Sequence, residues 1–462
     1  MEEIKHFSVA PERIQQLNDR ELNEGGKYVV YWMQESMRAY ENPALEYAIR
    51  WANELNKYCV VVFTLIDDFP EANLRHYKFL IEGLKEAADR ITERGIKFLL
   101  LHGARAEKIA GFVDDHEVCA VVTDRAYTRH ERKWRSDAAE KLPVPLVQVE
   151  GNLIVPVETA SDKQEYAART IRKKIMGKVE EFSKETTETK PDKPSKRVHL
   201  SGDMNLDSVQ QVLDQLKVDR DVKPVDEFIG GTTEARNRLT NFLRSDLKGY
   251  ADGRLEPSED ATSHLSPYLH FGHISPCEVY RKVNDSSAPK SDREGYIEEV
   301  VVRRELAHNF VWYAPDTYDS LEAVPDWAQE TMEKHEKDDR PHHYTREQLE
   351  NGETDDEAWN AAMREMRERG FLPNYMRMYW GKQILTYTNT YQYAYETTLY
   401  LNNKYFMDGR DPNSYTNVLW LFGLHDRGWT ERDVFGKLRT MTRGGLDRKY
   451  DVEGYIKRVN GE

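Results

Sequence analysis

The chain of 462 residues contains only three cysteines, Cys59, Cys119 and Cys277, and they lie far apart. That excludes a four-cysteine zinc or iron–sulfur centre, and each reads as a small buried residue. None of the fourteen histidines forms an H-x-x-x-H pair with a nearby carboxylate, so no metal site is expected. No G-x-G-x-x-G follows the first apolar run and no G-x-x-x-x-G-K-S/T occurs, which removes the standard dinucleotide and P-loop sites. No apolar run reaches the roughly 18 residues of a membrane span, and Met1-Glu2-Glu3 opens no secretory signal. A cytoplasmic protein without membrane contact is the expectation.

Positive charge is also short. There are 81 acidic against 66 basic residues, a formal net charge of −15. The balance argues against a general nucleic-acid coat. It leaves room for a local basic face, because phosphate affinity is set near the contact. Hydrophobic residues at 39% are few, but aromatics at 11% still describe a folded chain. The length exceeds one ordinary core, so two or three domains are expected.

Five short apolar runs mark the first 160 residues: Tyr28–Met33, Tyr58–Ile66, Ile96–His102, Val118–Thr123 and Pro145–Val155. Their length and β-branched content predict strands. A periodic helix with Leu74, Tyr77, Ile81, Leu84, Ala88 and Ile91 on one face separates the second from the third. Alternating strands and helices imply a doubly wound parallel α/β sheet over residues 1–178. Residues 179–225 turn to charge, Thr and Pro, with Lys190-Pro191-Asp192-Lys193-Pro194, and predict an exposed linker. The basic edge Glu165–Lys174 just before it is either a solvated face or a contact.

From 226 to 462 the pattern is helical and rich in Tyr. Ala261–Gly272 interrupts it, where hydroxyl residues precede a Pro-initiated helix and offer donors suited to phosphate. In Glu298–Leu306 the Glu and Arg residues stand four to five apart, a spacing at which they can pair with each other. Arg427–Lys449 carries seven Lys/Arg against three Asp/Glu, the best candidate for a phosphate-contacting face.

The most unusual chemistry lies between Thr354 and Trp429. Thr354-Asp355-Asp356-Glu357 has the form of a capping box, predicting a helix with Trp359, Ala362, Met363 and Met366 on one face. Gly370 ends it, and Pro373 suits the first turn of the next. There Met376, Trp380, Ile384 and Tyr387 form one stripe. Core packing explains the stripe by itself. Arg377 inside it, and the polar cluster Leu401–Asn413 beyond it, suggest a ligand or a network instead.

Leu265–Gly272, Arg303-Arg304-Glu305-Leu306, Arg377-Met378-Tyr379-Trp380, Asp408–Asn413 and His425–Trp429 together resemble the photolyase–cryptochrome family. They are most similar to its class II cyclobutane pyrimidine dimer photolyases. The resemblance spans nearly the whole chain. It implies an α/β domain of the kind that in relatives holds an antenna pigment, 8-hydroxy-5-deazaflavin being the first choice. It also implies an all-helical domain that binds FAD, and light-driven splitting of dimers flipped out of double-stranded DNA. A monomer acting in the cytoplasm, at the nucleoid on damaged DNA, is expected. A cryptochrome-like photoreceptor and a light-independent flavin or nucleotide-binding protein are the alternatives.

By the same resemblance, Tyr250, Thr262, Ser263, Leu265, Ser266, Arg304, Arg377, Asn402 and Asp408 hold FAD, with Asn402 beside flavin N5. Glu299 hydrogen-bonds the dimer, and Met378 and Trp420 wall its pocket. Arg303 is carried over as a substrate contact, where some relatives have an aromatic. Arg254, Arg427, Trp429 and Arg439 lie near the lesion and the opened strand. Trp380 and Trp359 are the inner steps of an electron wire. Tyr387 stands where an outer tryptophan is expected, about 10.5 Å along the helix from Trp380. Slower photoreduction, or a route through Tyr391 and Tyr395, follows from that exchange.

Overall fold

The computed structural model describes residues 9–462, and the opening Met1-Glu2-Glu3 lies outside them. Six strands, β1 (Ile14–Gln16), β2 (Tyr28–Met33), β3 (Tyr58–Leu65), β4 (Lys97–His102), β5 (Val118–Asp124) and β6 (Leu146–Val149), form one sheet in the order β1-β6-β5-β2-β3-β4. All neighbours pair in parallel except β1, which runs antiparallel along β6. The chain builds outward from β2 to β4, then returns to β5 on the other side of β2. Between β2 and β5 lies the crevice where doubly wound sheets place ligands. Val30, Trp32, Val60 and Val62 pack with Ile109, Phe112, Ala138 and Leu142 into the core on one face.

The predicted strands are present with small shifts, but Pro145–Val155 is a strand only over Leu146–Val149. Beyond it, the carbonyls of Glu150, Leu153 and Ile154 accept from the Arg13 guanidinium at 3.0, 3.0 and 2.6 Å. Backbone satisfied by one buried arginine needs no ladder, so an apolar run is buried without being a strand. β1 was not anticipated; three residues, two of them Gln, carry no strand signal. The predicted helix spans Leu74–Glu93 and buries Tyr77, Ile81, Leu84, Ala88 and Ile91.

The chain folds into two compact units. Among the described residues, the first holds those up to 162, 174–239 and 265–282, and the second holds 163–173, 240–264 and 283–462. The segment 179–225 is therefore part of the first unit and not a free linker. Thr189 accepts from Arg50 Nε at 2.8 Å, Ser195 donates to the Cys59 carbonyl at 2.5 Å, and Met204 bridges to Leu100. Its polar composition reflects these directional bonds at the edges of strands and helices.

In the second unit, the helix Glu357–Arg369 is capped by Asp356, not Thr354: Asp356 accepts from the backbone of Ala358 and Trp359. The Thr354 hydroxyl is committed to Asn360 Oδ1 at 2.8 Å and Asp355 accepts from Tyr344, which leaves Asp356 to cap. Gly370 ends the helix at φ +66°, as expected. Pro373 stands one position before the helix Asn374–Tyr387. The helices Tyr391–Tyr405 and Pro412–Leu421 follow.

Candidate functional site

The stripe Met376, Trp380, Ile384 and Tyr387 is buried, so core packing accounts for it. The polar neighbours form a network. Arg377 Nη2 donates to Asn402 Oδ1 at 2.9 Å and to Asp408 Oδ1 at 3.2 Å, and its Nη1 donates to Asp408 Oδ2 at 3.3 Å. A guanidinium only donates, so Asn402 must turn its oxygen toward it. The Asn402 amide nitrogen donates to Asn403 Oδ1 at 2.9 Å, which also accepts from the Arg410 backbone at 2.9 Å. Arg410 sits at φ +69°, and at Gly409 a Cβ would meet the Asn403 backbone at 2.9 Å. The turn 408–410 is therefore held in one shape that aims Asp408 at Arg377.

From this network an aromatic path leads away. The Arg377 guanidinium lies 3.8 Å from the Phe406 ring centre, and Phe406 meets Trp380 edge-on at 6.2 Å. Trp380 and Trp359 stack at 6.5 Å and 13°, and Trp359 Nε1 donates to the Trp380 carbonyl at 2.8 Å. Tyr387 meets Trp359 at 5.7 Å. Beyond Tyr387 stand Tyr344 at 5.4 Å and His342 at 6.1 Å. Tyr391, by contrast, donates to the Val434 carbonyl, and Tyr395 packs on Phe422. The indole Nε1 of Trp380 is buried without a partner.

The donor set suits FAD. An arginine, a carboxylate and an oriented amide face one region, and a neighbouring buried indole N–H lacks an acceptor. The remaining expected cofactor residues are more dispersed. Tyr250 is buried against Phe242 and Tyr296, and burial pushes its phenol well above the usual range. Ser263 accepts from Tyr296 at 2.8 Å, and Thr262 contacts His264 at 3.4 Å. Leu265 and Ser266, at the start of the helix Ser266–His270, group with the first unit. Arg304 is buried, and its carbonyl accepts from His308 Nδ1 at 2.8 Å.

Glu299 lies in a π-helical turn, Glu298–Arg303. That winding brings residues five apart into line, and Arg303 Nε donates to Glu298 at 3.1 Å. Arg172 donates to the same Glu298 through Nε and Nη2 at 2.9 and 2.6 Å, while Arg169 and Lys173 of the same basic edge are exposed. Glu299 is left to Arg254, whose Nη1 donates to it at 2.8 Å while Nε is buried without a partner. The expected pairing of Glu and Arg along this stretch thus holds for Glu298 and Arg303.

Half-buried Trp420 carries cations near its ring, with Lys382 Nζ at 5.7 Å and Arg439 at 5.3 Å. Arg439 also lies 4.3 Å from the exposed Trp429 ring, and Arg427 lies 5.1 Å from it. Asp426 pins the group by accepting from Arg439 Nε at 3.0 Å. Burial raises the Asp426 carboxyl, but Arg439, the Arg427 backbone N–H and the Trp429 indole outweigh it and hold it below the usual range. A cavity of about 340 Å³ beside Trp429 is lined by Tyr375, Tyr379, Arg432, Arg448 and Lys449. Met378 is half-buried on the helix Asn374–Tyr387. Lys382 does not stand out in the sequence, and Phe406 and Arg410 do so only as members of the cluster Leu401–Asn413. The signal for Lys382 is a lysine one turn from Tyr379 on an otherwise uncharged stretch from Met378 to Tyr387.

The first unit has its own polar cluster. The backbone N–H groups of Gln34, Glu35 and Ser36, just after β2, donate to Asp124 Oδ2 at 2.8, 2.9 and 3.3 Å. Arg105 lies 4.3 Å from the Trp134 ring and 5.8 Å from Phe69, and His130 meets both rings edge-on. Desolvation, then the charge of Glu131, pushes the Glu35 carboxyl well up. Among the described residues, no group of three or more His, Cys, Asp or Glu is placed to hold a metal. No helix among them is long and apolar enough to cross a membrane.

Two solved structures share this architecture. A Synechocystis cryptochrome is 16% identical, with a TM-score of 0.73 over 94% of this chain and 89% of that one. An archaeal photolyase from Sulfolobus tokodaii, solved with two FAD molecules, is 16% identical, with a TM-score of 0.67 over 93% and 89%. At such identity they define the class, the photolyase–cryptochrome fold. Sequence narrows it: the family model described as DNA photolyase matches residues 29–194. The deoxyribodipyrimidine photo-lyase of Methanothermobacter thermautotrophicus is 43% identical over 454 residues, 97% of this chain and 98% of its own. The chain belongs to the DNA photolyase family.

Proposed function

We propose that the protein is a light-dependent DNA-repair lyase that splits cyclobutane pyrimidine dimers. The observation that carries this reading is the continuous path from the Arg377–Asn402–Asp408 set through Phe406 and Trp380 to the stacked Trp359. FAD, when bound, supplies the light absorption and the one-electron chemistry that opens the cyclobutane ring. Arg377 and Asp408 orient the isoalloxazine and balance its charge, and Asn402 presents a neutral amide at N5. Tyr250, Thr262, Ser263 and Arg304 hold the remaining parts of the cofactor. Trp380 and Trp359 return electrons to the site from the protein side.

Glu299, braced by Arg254, hydrogen-bonds the dimer and stabilises charge that develops on it. Met378 and Trp420 stack against the flipped bases, with Arg303 at the edge of the pocket. Arg427, Trp429 and Arg439 fill the opened duplex, and the basic cavity beside them takes the phosphate backbone despite the net charge of −15. In the first unit, the rings and charges around Arg105 at the switch-point end of the sheet suit a flat antenna pigment of the 8-hydroxy-5-deazaflavin type. The enzyme acts as a monomer in the cytoplasm, at the nucleoid, on double-stranded DNA.

The test is direct. Ultraviolet-irradiated oligothymidine is incubated with the flavin-loaded protein, and thymine absorbance recovers under blue light and stays flat in the dark. Bound flavin without recovery would overturn the assignment.

A further inference from the structure

Asp356 does two jobs with two oxygens. Its Oδ1 caps the helix that carries Trp359, accepting from the Ala358 and Trp359 backbone at 3.0 and 3.2 Å, with Arg443 Nη1 at 3.4 Å. Its Oδ2 faces the other way and accepts from two phenols, Tyr387 at 3.2 Å and Tyr379. Tyr387 is the ring in contact with Trp359, at 5.7 Å. The same carboxylate therefore fixes Trp359 and touches the hydroxyl of the next ring out.

We propose that Asp356 is the proton acceptor that lets Tyr387 act as the outer electron donor, in place of a third tryptophan. The inference rests on the flavin reading above. With FAD bound, its photoexcited oxidised form would be the oxidant and would take up one electron, which Trp380 supplies and recovers from Trp359. Tyr387 gives one electron to Trp359; its O–H bond breaks and a new O–H bond forms on Asp356 Oδ2. The products are a neutral tyrosyl radical and a neutral carboxylic acid, so no charge is created on the ring.

The coupling is needed because the phenol does not ionise beforehand. Burial, then the Asp356 charge, holds the Tyr387 hydroxyl well above its ordinary pKa. Oxidation with the proton kept would place a cation in a site that is 5% exposed. A carboxylate in hydrogen-bond contact removes that penalty within one step. The groups around the pair are Tyr379 and Arg443 on Asp356, and Tyr344 and His342 beside the Tyr387 ring, with Tyr344 donating to Asp355 at 3.0 Å.

The experiment compares wild type, Asp356→Asn, Tyr387→Phe and Tyr379→Phe, loaded with oxidised FAD and flashed without DNA. Asn keeps the capping oxygen and removes the proton acceptor, so the fold is preserved. Wild type and Tyr379→Phe are expected to give a tyrosyl radical by electron paramagnetic resonance, formed more slowly in D2O, with a protonated-carboxyl infrared band. Asp356→Asn and Tyr387→Phe lose all three. An unchanged tyrosyl signal in Asp356→Asn, or a signal lost in Tyr379→Phe alone, overturns the proposal.

A flavin-free readout separates the two readings. The 13Cζ resonance of Tyr387, assigned by its loss in Tyr387→Phe, shifts in Asp356→Asn if the hydrogen bond is present. No shift sinks the proton acceptor whatever the flavin does. A shift without any light-driven change in loaded wild type sinks the flavin reading instead.

Discussion

Lys382 shows how one residue takes its chemistry from its surroundings. It is buried on the helix Asn374–Tyr387, donates to the Leu421 carbonyl at 2.5 Å and lies under Trp420. Burial pulls its ammonium down to about 7, only partly offset by Asp426. The unfolded chain binds this proton up to the ordinary lysine range, while the folded chain has released it above about 7. Stability from this residue therefore rises as pH climbs from about 7 toward 10.5. Lys382→Met should lose that slope, which denaturant unfolding of both proteins across the range will read; equal slopes refute it. Trp380 belongs to the same scale. Trp380→Phe is expected to abolish photoreduction of the oxidised flavin, yet spare repair when the flavin is reduced chemically. Loss of both activities would show that Trp380 is not a step of the wire.

At the scale of elements, caps and turns position the chemistry. The Asp356 cap sets where the Trp359 helix begins, and Gly370 at φ +66° sets where it ends. Asp356→Ala should lower stability by about 0.5–2 kcal/mol through the lost cap, and Asp356→Asn should hold most of it. Thermal unfolding of the two variants distinguishes capping from proton transfer, since only Asn retains the first. The π-turn Glu298–Arg303 is a second device: its winding matches Glu298 with Arg303 and leaves Glu299 to Arg254. In the sequence these residues showed only that Glu and Arg were close enough to pair. Which glutamate stayed available depended on the local winding, and that is a packing outcome.

Across the whole molecule, each unit buries a histidine in its neutral form. Burial lowers His273 of the first unit to about 3 and His425 of the second to about 4. His273 accepts from the Gly231 backbone at 3.1 Å, and its other nitrogen is buried without a partner. Both groups are protonated in the unfolded chain below about 6.5, while the folded chain resists the proton, so stability is full above that pH and falls as pH drops toward 4 and 3. Thermal unfolding followed from pH 7 downward should show the midpoint falling, and a flat midpoint to pH 4 would refute the burial argument. Alternating β-branched runs, helical periodicity and the order of five motifs made the sheet, the helices and the family legible in the sequence, because each depends on neighbours a few residues apart. The choice of Asp356 over Thr354 as cap was not legible there, since it turned on which side chain Asn360 held. Nor was the meeting of Arg377 with Asn402, of Tyr387 with Asp356, or of Arg50 with Thr189. Those partners stand 25, 31 and 139 positions apart, and only tertiary packing decides which donor reaches which acceptor.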